Sequence, residues 1–447
     1  MHFRVKSSRG EVCNIINDVF QDMLPEWEEL PSGFGLGLSW NFLWSWGRPK
    51  LNFSHLLVWQ RVNHFPESRQ LTRKDMLKRN IQSLCEMGKG KSSGSYFEIM
   101  PQTFLLPSEF VPFVKAFHEI EASKAATGYV NLWIMKPIGL SRGRGISMVT
   151  DVNNLTYSQA SVIQKYIENP LCLHGYKFDL RLYILVTSFC PLEAFIYKEG
   201  FARLSTHKFS LNAQDVDNKF VHLTNSSIQK QNVQGPTRDN PLMVGSPSEA
   251  GGSKISLLGE HGLWSRLKIN GYDTNQIWEN ICALVVKSLV AVDDKMMHQA
   301  CCFEVFGYDV LIDESLRPWL IEVNASPSLA RDNELDIRVK NQMICDTIKL
   351  LNPASFDRSA LLKILKRRIK NIAANPFKSV GGRADPDLND DLRQILGDHV
   401  PRIYGEDPKH LGGYEKLCPN TKMYEKSVQF KNKIFKSTNN SQGRNDI

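Results

Sequence analysis

Two apolar runs around residue 310 are the most informative structural pattern in the sequence. They are Cys302–Ile312 (CFEVFGYDVLI) and Pro318–Pro327 (PWLIEVNASP), and a short polar turn separates them. Such a pattern predicts two antiparallel strands joined by a hairpin. Side chains alternate between the faces of a strand, so Glu322 and Asn324 share one face. Folding the turn about its centre places Asp309 opposite Glu322.

This hairpin brings two carboxylates and an amide into an apolar setting. Uncompensated charge there is costly, so a cation is expected between Asp309, Glu322 and Asn324. Hard oxygen ligands in that number suit Mg²⁺ held between protein and phosphates. The alternative is the solvated face of an edge hairpin. A lone carboxylate would favour that alternative, but three oxygens at this spacing, followed by Ser326-Pro327, favour the metal.

Composition limits the class of protein. The 447 residues are 42% hydrophobic and 23% charged, as in an ordinary soluble globular protein large enough for two or three domains. No apolar run reaches about 18 residues, and residues 1–6 lack the apolar core of a signal peptide, so no membrane partner is expected. The nine scattered cysteines form no CxxC pair, which favours reduced thiols in the cytosol.

The net charge of +8 suggests an acidic partner. Residues 361–378 contain no acid, and their basic residues are Lys363, Lys366, Arg367, Arg368, Lys370 and Lys378. Nucleic acid is not expected, because aromatic interleaving and a known nucleic-acid module are absent. An acidic protein surface is the favoured partner, and a solvated helix face is the alternative.

The pattern along the chain predicts an α/β (α+β) protein with four parts. These are a small Trp-rich N-terminal domain (1–70), a central domain with a phosphate loop (71–167), a C-terminal domain with the hairpin (168–385) and a polar extension (386–447). We expect disorder from Lys436 onward.

Periodicity predicts the main elements of these parts. Strands are expected at 132–137, 161–167, 178–187 and 192–198, and helices at 71–80, 107–123 and 275–298. Ser108 is the expected N-cap of the second helix. The polar segment 231–253 is expected to be a mobile loop over a site.

A glycine-rich loop, Ile138–Ile146 (IGLSRGRGI), follows the strand that ends at Lys136. Gly143 lets the backbone approach a ligand closely, and Arg142 adds positive charge. Such a loop alone is weak support for a phosphate site, because many are simple hairpins, and it matches neither Walker A nor GxGxxG before a helix. The strand-end lysine before it and the carboxylate hairpin after it strengthen the phosphate interpretation.

Several charged residues lie inside predicted strands. Lys165 sits in an apolar strand and needs an anionic partner, for which a phosphate or a nucleotide edge is suitable. Lys177, Asp179 and Arg181 alternate on one face of the next strand, where a ladder of cross-strand ion pairs is the alternative. Arg203 could orient a carboxylate through two hydrogen bonds.

Two further polar residues, Thr224 and Asn225, follow His222-Leu223. They could hydrogen-bond a ribose, although capping a helix is the commoner role of these residue types.

Six motifs in fixed order carry a resemblance to a known family: Lys136-Pro137, Ser141–Gly145, Gln164–Ile167, Lys177–Arg181, His222–Asn225 and Glu322–Leu329. Together they resemble the motif set of the tubulin–tyrosine-ligase-like family, over roughly residues 40 to 345. The resemblance implies an ATP-grasp fold and ATP-dependent ligation. The chain is more similar to the glutamate-adding members than to the founding tyrosine ligase.

The resemblance also implies roles for individual residues. Those for the ATP phosphates are Lys136, Arg142 and Gly143. Those lining the adenine are Gln164, Lys165, Tyr166 and Ile167. Those for the rest of the nucleotide are Lys177, Phe178, Asp179, Thr224 and Asn225, with Arg73 and Lys74 in a basic stretch nearby. The implied Mg²⁺ ligands are Asp309, Glu322 and Asn324.

Catalytic and substrate roles follow in the same way. Arg181 and Arg203 would face reacting carboxylates or phosphates. The implied substrate-binding residues are Arg142, Arg203, Ser226, Ser227, Lys254, Ala325 and Lys340. Ala325 stands where some members carry a larger or titratable residue, and with Arg142 it favours the first branch glutamate over chain extension without deciding between them.

The implied reaction adds free glutamate, through an isopeptide bond, to side-chain carboxylates of the acidic tail of tubulin. ATP and Mg²⁺ are the cofactors, and an acylphosphate is the intermediate. A glycine or tyrosine ligase on the same scaffold is one alternative, and an inactive microtubule-binding protein is another. The implied location is the cytoplasm and cytoskeleton, extending to the axoneme and basal body of cilia. The protein is expected to be a monomer or part of a larger complex.

Overall fold

A computed structural model describes residues 1–30, 37, 39–89, 95–124, 130–140, 143–156, 159–232, 254–374, 387–397, 399, 402 and 404–442. The strands are β1 (His2–Lys6), β2 (Glu28–Glu29), β3 (Phe42–Ser45), β4 (Arg61–Val62), β5 (Thr103–Leu106), β6 (Trp133–Pro137), β7 (Ser147–Val149), β8 (Ser161–Lys165), β9 (Cys172–Leu173), β10 (Tyr176–Phe189), β11 (Leu192–Tyr197), β12 (Phe201–Leu204), β13 (Lys254–Ser256), β14 (Glu304–Ile312), β15 (Pro318–Asn324) and β16 (Tyr414–Cys418). The helices are α1 (Gly10–Met23), α2 (Arg69–Thr72), α3 (Lys74–Met87), α4 (Phe110–Lys124), α5 (Lys219–His222), α6 (Ser226–Gln229), α7 (Leu263–Ile269), α8 (Thr274–Val290), α9 (Glu334–Leu351), α10 (Arg358–Ala374), α11 (Leu388–Leu396) and α12 (Lys422–Gln442).

The long strand β10 organises the largest sheet. Its aromatic and branched residues suit a strand with both faces covered, and nearly all of them are buried. One edge of β10 pairs with β14, which in turn pairs with β15. The other edge pairs first with β12 and then with β11. The sheet therefore holds the hairpin and the charged segment of β10 side by side.

The hairpin has the predicted register. Asp309 lies opposite Glu322, and Gly307 lies opposite Asn324. The register then shifts, because Val310 pairs with Leu320 and leaves Ile321 as an extra residue on β15. This bulge is the reason that two adjacent residues, Ile321 and Glu322, both line the same cleft.

A smaller antiparallel sheet with the order β5-β8-β6-β7 lies on the other side of that cleft. Helix α4 covers it, with Phe113 and Phe117 packed beside Trp133. The predicted strands at 132–137 and 161–167 are confirmed as β6 and β8, which ends two residues early.

The N-terminal region forms a parallel sheet, β2-β1-β3-β4, with α1 packed against it. It contacts the large sheet through a stacked aromatic pair and through hydrogen bonds to a buried carboxylate. Phe42 stacks on Phe303, and the buried Glu304 carboxylate is bound by His64 Nδ1 (3.1 Å) and by the Phe65 amide (3.0 Å). Together the three sheets make a mixed helix-and-sheet protein, and the boundaries of the four predicted parts stay predictions.

All three helix predictions need correction. The predicted helix at 71–80 is interrupted at Arg73, whose backbone is extended, so α2 ends at Thr72 and α3 begins at Lys74. Helix α4 begins at Phe110, and the Ser108 hydroxyl does not cap it but donates to the carbonyl of Leu105. Helix α8 begins at the predicted place, capped by Asp273, but ends at Val290 rather than His298. Asp293 and Asp294 follow, and acidic residues oppose the dipole at a helix C-terminus.

The C-terminal region was expected to be a polar extension, and this is wrong for much of it. Strand β16 pairs with β11 in the large sheet, and α12 runs to Gln442, beyond the expected start of disorder at Lys436. Cys418 and Ile434 are buried in the main core. The polar composition concealed a helical stripe of apolar residues that packs on α8 and α3 and touches β16.

Three sequence predictions fall partly or wholly on residues outside the described part of the chain. Ser141 and Arg142 lie there, as does most of the predicted loop, residues 233–253. The end of the basic stretch, residues 375–378, lies there too. Within the described ranges, no helix combines the length and the apolar character that a membrane span requires.

Candidate active site

Two clefts meet beside the hairpin. The first cleft lies between the small sheet and the large sheet and encloses about 840 Å³. The second cleft lies on the other side of the hairpin, is bounded by the N-terminal region and α9, and encloses about 1480 Å³. Asn225 and Glu322 line both clefts, so a ligand in one can reach a ligand in the other.

The first cleft contains two buried lysines that lack carboxylate partners among their hydrogen bonds in the described structure. Lys136 donates to Oε1 of Gln164 at 2.9 Å. Lys177 donates to the Tyr166 hydroxyl at 2.7 Å and to the His222 carbonyl at 2.9 Å. Burial lowers the pKa of Lys136 to about 8 and that of Lys177 to about 7. An anionic ligand would stabilise both ammonium groups.

A chain of hydrogen bonds holds Lys177 in place. The Tyr166 hydroxyl contacts Nδ1 of His222 at 2.8 Å, and Nε2 of His222 lies 3.0 Å from the Asp215 carbonyl. A carbonyl only accepts, so Nε2 carries the proton and Nδ1 accepts from Tyr166. Burial, followed by the nearby Lys177, lowers the pKa of His222 to about 4. The imidazole therefore stays neutral, and Tyr166 keeps its lone pairs for Lys177.

The described part of the glycine-rich loop closes one side of the first cleft. Gly143 has a φ of +74°, and a Cβ atom there would collide with the side chain of Ile228. A side chain at this position would be strained by both the backbone conformation and the contact. Glycine thus lets the loop approach α6, next to Asn225. Asn225 is the N-cap residue of α6, but its side chain makes no capping hydrogen bond.

Two arginines and two aspartates form an alternating network between the clefts. Arg181 donates to both oxygens of Asp309, at 2.7 and 3.2 Å. Arg203 contacts Asp309 at 2.9 Å and binds both oxygens of Asp179, one of them at 2.7 Å. Burial alone would raise the pKa of Asp309, but the two guanidinium groups hold it well below its usual range. The ladder of cross-strand ion pairs, weighed as an alternative, is therefore present.

The carboxylates of the hairpin have cationic side chains as partners. Asp309 is balanced by two arginines, and Glu322 contacts Nζ of Lys74 at 3.2 Å. The expectation that uncompensated charge demands a metal is therefore wrong. Within the described ranges, no cluster of three or more His, Cys, Asp or Glu side chains could hold an ion.

The residues still offer hard oxygen ligands. Asn324 contacts Glu322 at 3.3 Å through Nδ2, and the contacts within the described residues leave its Oδ1 available. Two carboxylates and an amide oxygen on neighbouring positions match the ligand types of Mg²⁺. The donor set thus fits this ion.

The second cleft carries the predicted substrate residues. Ser226 and Ser227 line it near Asn225, and Ala325 lines it near Asn324. Lys254 and Lys340 line it too, and both contact Asp336. Arg181 and Arg203 reach it from the large sheet. One wall is Trp46, with the Arg9 guanidinium 4.1 Å from its ring centroid.

Most predicted nucleotide residues come together in the first cleft: Lys136, Gly143, Gln164, Lys165, Tyr166, Ile167, Lys177, Asp179, Thr224 and Asn225. Phe178 does not line it, because its side chain is buried in the main core. Lys165 lines it but binds Glu168 and donates to the Leu132 carbonyl at 3.0 Å. A phosphate is therefore not needed to balance Lys165.

Three residues at the second cleft were not predicted from the sequence. Asp336 is buried behind the lining residues Lys254 and Lys340, and Arg9 and Trp46 line the cleft from the N-terminal region. The helical pattern of α9 would show Asp336 one turn before Lys340, and this spacing suggests an ion pair. No local pattern marks Trp46, which reaches the cleft only through tertiary packing.

Comparison with known proteins identifies the family of this chain. Residues 52–360 match the Tubulin-tyrosine ligase family. The chain is 36% identical over 329 residues to tubulin polyglutamylase TTLL5 of Homo sapiens, covering 71% of this chain and 24% of that protein. It is 35% identical over 320 residues to probable tubulin polyglutamylase TTLL2 of Homo sapiens, covering 70% and 50%.

A third relative is tubulin polyglutamylase ttll6 of Danio rerio, 30% identical over 402 residues, covering 87% of this chain and 48% of that protein. The chain thus spans from about a quarter to half of the length of these curated relatives. The match over residues 52–360 includes both clefts apart from Arg9, Glu11 and Trp46 of the second, and it shows that the chain belongs to the tubulin-tyrosine ligase family.

Proposed function

We propose that this protein is an ATP- and Mg²⁺-dependent ligase with an ATP-grasp fold that adds glutamate to side-chain carboxylates of the acidic tail of tubulin. The observation that carries the proposal is the meeting of two unlike clefts at Asn225 and Glu322. The first cleft has buried lysines suited to phosphates, and the second has cations suited to carboxylates. The polyglutamylase names of the relatives support glutamate and tubulin as substrates.

The first cleft would bind ATP. Lys136 and Gly143 would contact the phosphates, with Arg142 added from outside the described residues. The backbone of residues 164–167 would hydrogen-bond to the edge of the adenine. The Lys165 side chain would not take part, because it is paired with Glu168. Asp309, Glu322 and Asn324 would hold Mg²⁺, which when bound offsets the charge of the phosphates.

The reaction would proceed in two steps. An oxygen of the acceptor carboxylate attacks the γ-phosphorus of ATP, ADP leaves, and an acylphosphate forms. The amine of free glutamate then attacks the acyl carbon and loses a proton, phosphate leaves, and an isopeptide bond forms. Arg181 and Arg203 would reduce the repulsion between the acceptor carboxylate and the triphosphate.

Both arginines are held by aspartates of the protein itself. Their positions are thereby set in advance, since a bidentate pair restricts a guanidinium in both angle and distance. Pre-set donors need little rearrangement when charge moves onto the phosphoryl oxygens. This is the contribution that the four-residue network would make to catalysis.

The proposed partners are tubulin and microtubules, reached through the basic helix α10. Lys363, Lys366 and Lys370 are exposed on this helix, beside the exposed Ile369. Arg367 and Arg368 instead bind Asp391 of α11. The three lysines are thus the residues of α10 best placed to attract an acidic surface. The corresponding location would be the cytoplasm and the cytoskeleton, including cilia.

One incubation tests the proposed activity. Purified protein is mixed with ATP, Mg²⁺, tubulin and radiolabelled glutamate, glycine or tyrosine, and the product is mapped by mass spectrometry. We expect incorporation of glutamate onto a glutamate side chain of a tubulin tail. Incorporation of glycine or tyrosine alone would support the corresponding alternative ligase. Binding to microtubules without any incorporation would support the inactive binding protein.

A further inference from the structure

A buried carboxylate, Asp336, lies between two lysines of the second cleft. Its side chain, in the first turn of α9, is 0% exposed. Lys254 Nζ contacts its two oxygens at 3.0 and 3.2 Å, and Lys340 Nζ contacts it at 2.7 Å. The lysines come from different elements, β13 and α9, so Asp336 brings together two cations that are distant in sequence.

Both ammonium groups lie at the surface of the second cleft. They are 5.4 and 5.5 Å from the ring centroid of Phe201, which forms an apolar floor beneath them. Each ammonium has three N–H donors, and its contacts within the described residues use two of them. Lys254 donates two hydrogen bonds to Asp336. Lys340 donates one to Asp336 and one to the carbonyl of Ala330. Each lysine thus retains a donor for a ligand.

The local charge is unbalanced by one. Two lysines share one carboxylate, and the next acidic group, Asp332, is 4.0 Å from Lys254 but contacts Lys230 at 2.8 Å. One positive charge therefore remains beside the cleft, enough for one carboxylate of a ligand. We propose that Asp336 is a positioning residue that holds Lys254 and Lys340 as a paired ammonium site for a carboxylate of the incoming amino acid. This inference rests on the ligase function proposed above.

Asp336 has a second effect, on protonation. Burial lowers the pKa of Lys340 to about 8, and Asp336 opposes that decrease. The other charged groups near Lys340 are Lys254, which lowers its pKa, and Asp332, which raises it. Without the charge of Asp336, Lys340 would lose its proton at a lower pH. The carboxylate thus keeps Lys340 cationic near neutral pH as well as holding it in position.

A purely structural role for Asp336 is the competing explanation. Its amide donates to the Asn333 side chain at 2.8 Å, and its Oδ2 accepts from the Asp332 amide at 3.3 Å, as at many helix starts. An Asn at position 336 keeps the backbone donor and an acceptor oxygen but removes the charge. Asp336→Asn therefore separates the two roles. Asp18→Asn is the matched control, because Asp18 pairs with Arg331 at 2.6 Å near the same helix and does not line the cleft.

The experiment measures KM and kcat with full-length protein, tubulin, ATP and glutamate from pH 6.5 to 9. For Asp336→Asn we expect the KM for glutamate to rise about tenfold at pH 7.5, with the KM for ATP changed less than about threefold. The KM for glutamate should rise with pH as Lys340 loses its proton, and in Asp336→Asn this rise should begin at a lower pH than in the unmodified protein. Asp18→Asn should keep both KM values. If Asp336→Asn does not fold, Asp336→Glu keeps the charge, displaces it by one methylene, and should raise the glutamate KM severalfold.

A labelling measurement tests the positioning without using activity. Amine acylation followed by mass spectrometry reports how readily Lys254 and Lys340 react, and glutamate in excess should protect both. Asp336→Asn should make Lys340 more reactive near pH 7 and abolish the protection. A folded variant with unchanged glutamate KM and unchanged labelling would overturn the inference, as would equal rises in the KM values for glutamate and ATP. If the unmodified protein incorporates no glutamate and glutamate gives no protection, the proposed function itself fails.

Discussion

The two clefts contain similar cationic side chains, but the groups that contact these side chains differ. In the first cleft, Lys136 and Lys177 are hydrogen-bonded to an amide oxygen, a hydroxyl and a backbone carbonyl. In the second, the cations contact carboxylates, as Arg203 does with Asp179 and as Lys254 does with Asp336. The first cleft therefore has positive charge in reserve for a highly charged ligand, whereas the second is close to balance and suits single carboxylates.

The difference has an energetic meaning. A buried lysine without a counter-charge is partly deprotonated near neutral pH, and a phosphate restores its proton. A buried arginine held by two carboxylates is already charged and fixed in direction. One cleft thus gains its charge when the ligand arrives, and the other presents a preorganised surface. Substitutions and pH changes that alter the charge of either cleft should separate these two behaviours.

The largest effect is expected for Asp309→Asn. The substitution removes the charge shared by two buried guanidinium groups, so the free energy of unfolding should fall by about 3–5 kcal/mol. Glutamate incorporation per folded molecule should fall on the order of 100- to 1,000-fold, because the arginines lose their direction. Urea unfolding and single-turnover incorporation measure the two effects.

Asp313→Asn is the control for that variant. Asp313 lies in the turn of the same hairpin, where it accepts from Ser315, Arg317 and Trp319. This variant should lose stability but keep its activity per folded molecule. Full activity in Asp309→Asn would show that the four-residue network is only structural.

The next effect concerns the reserve of charge in the first cleft. Lys136→Met should weaken ATP binding about 10- to 100-fold, the usual contribution of a hydrogen bond to a charged group. Isothermal calorimetry with Mg²⁺ and a non-hydrolysable ATP analogue measures the affinity. Lys115→Met, an exposed lysine on the helix that covers the small sheet, serves as the comparison and should bind normally. Equal affinities in the two variants would remove Lys136 from the phosphate site.

ATP affinity should also depend on pH in a defined direction. The pKa values of Lys177 and Lys136 in the free protein are about 7 and about 8, and phosphate binds the protonated forms. Affinity should therefore be greatest below pH 7 and fall by at least about tenfold between pH 7 and pH 9, as both lysines lose their protons. Calorimetry near pH 8 in two buffers of different ionisation enthalpy should reveal proton uptake on binding. No proton uptake would mean that these lysines are already charged.

The smallest effect is expected at the surface of α10. Reversing Lys363, Lys366 and Lys370 to Glu should weaken microtubule co-sedimentation roughly fivefold at low salt, because exposed pairs contribute about 0.3 kcal/mol each. The difference should shrink as salt increases. Three exposed lysines elsewhere, Lys50, Lys89 and Lys115, give a variant with the same change in net charge. Equal loss of binding in the two triple variants would show a general charge effect rather than a site on α10.

Much of the candidate site could be predicted from local sequence. The hairpin register follows from the length of the turn and the alternation of side chains, so Asp309 opposite Glu322 was predictable. The motif order predicted the residues that meet in the first cleft. The alternation rule also shows why the Phe178 side chain does not line the cleft, since Phe178 lies between Lys177 and Asp179 and faces the core.

The partners of the charged groups could not be predicted, because each partner lies on another element. Asp309 of β14 contacts Arg203 of β12, although the two lie more than 100 positions apart in the chain, and Asp336 of α9 contacts Lys254 of β13. The sequence therefore suggested a metal to balance Asp309, where arginines do so. Strand β16 could not be predicted for the same reason. A short segment flanked by polar residues joins a sheet only where that sheet has a free edge to pair with, and here that edge is β11.

The strands β6, β8, β10 and β11, the hairpin register and the residue types of the candidate site could be predicted from the sequence alone, since they follow from a period of two residues and from motif order. How each charge is balanced, which lysines stay without carboxylates, and the meeting of two clefts at Asn225 and Glu322 depended on the tertiary structure. The physical reason is that charge balance and burial depend on neighbours in space. Local patterns along the chain contain no information on those distances.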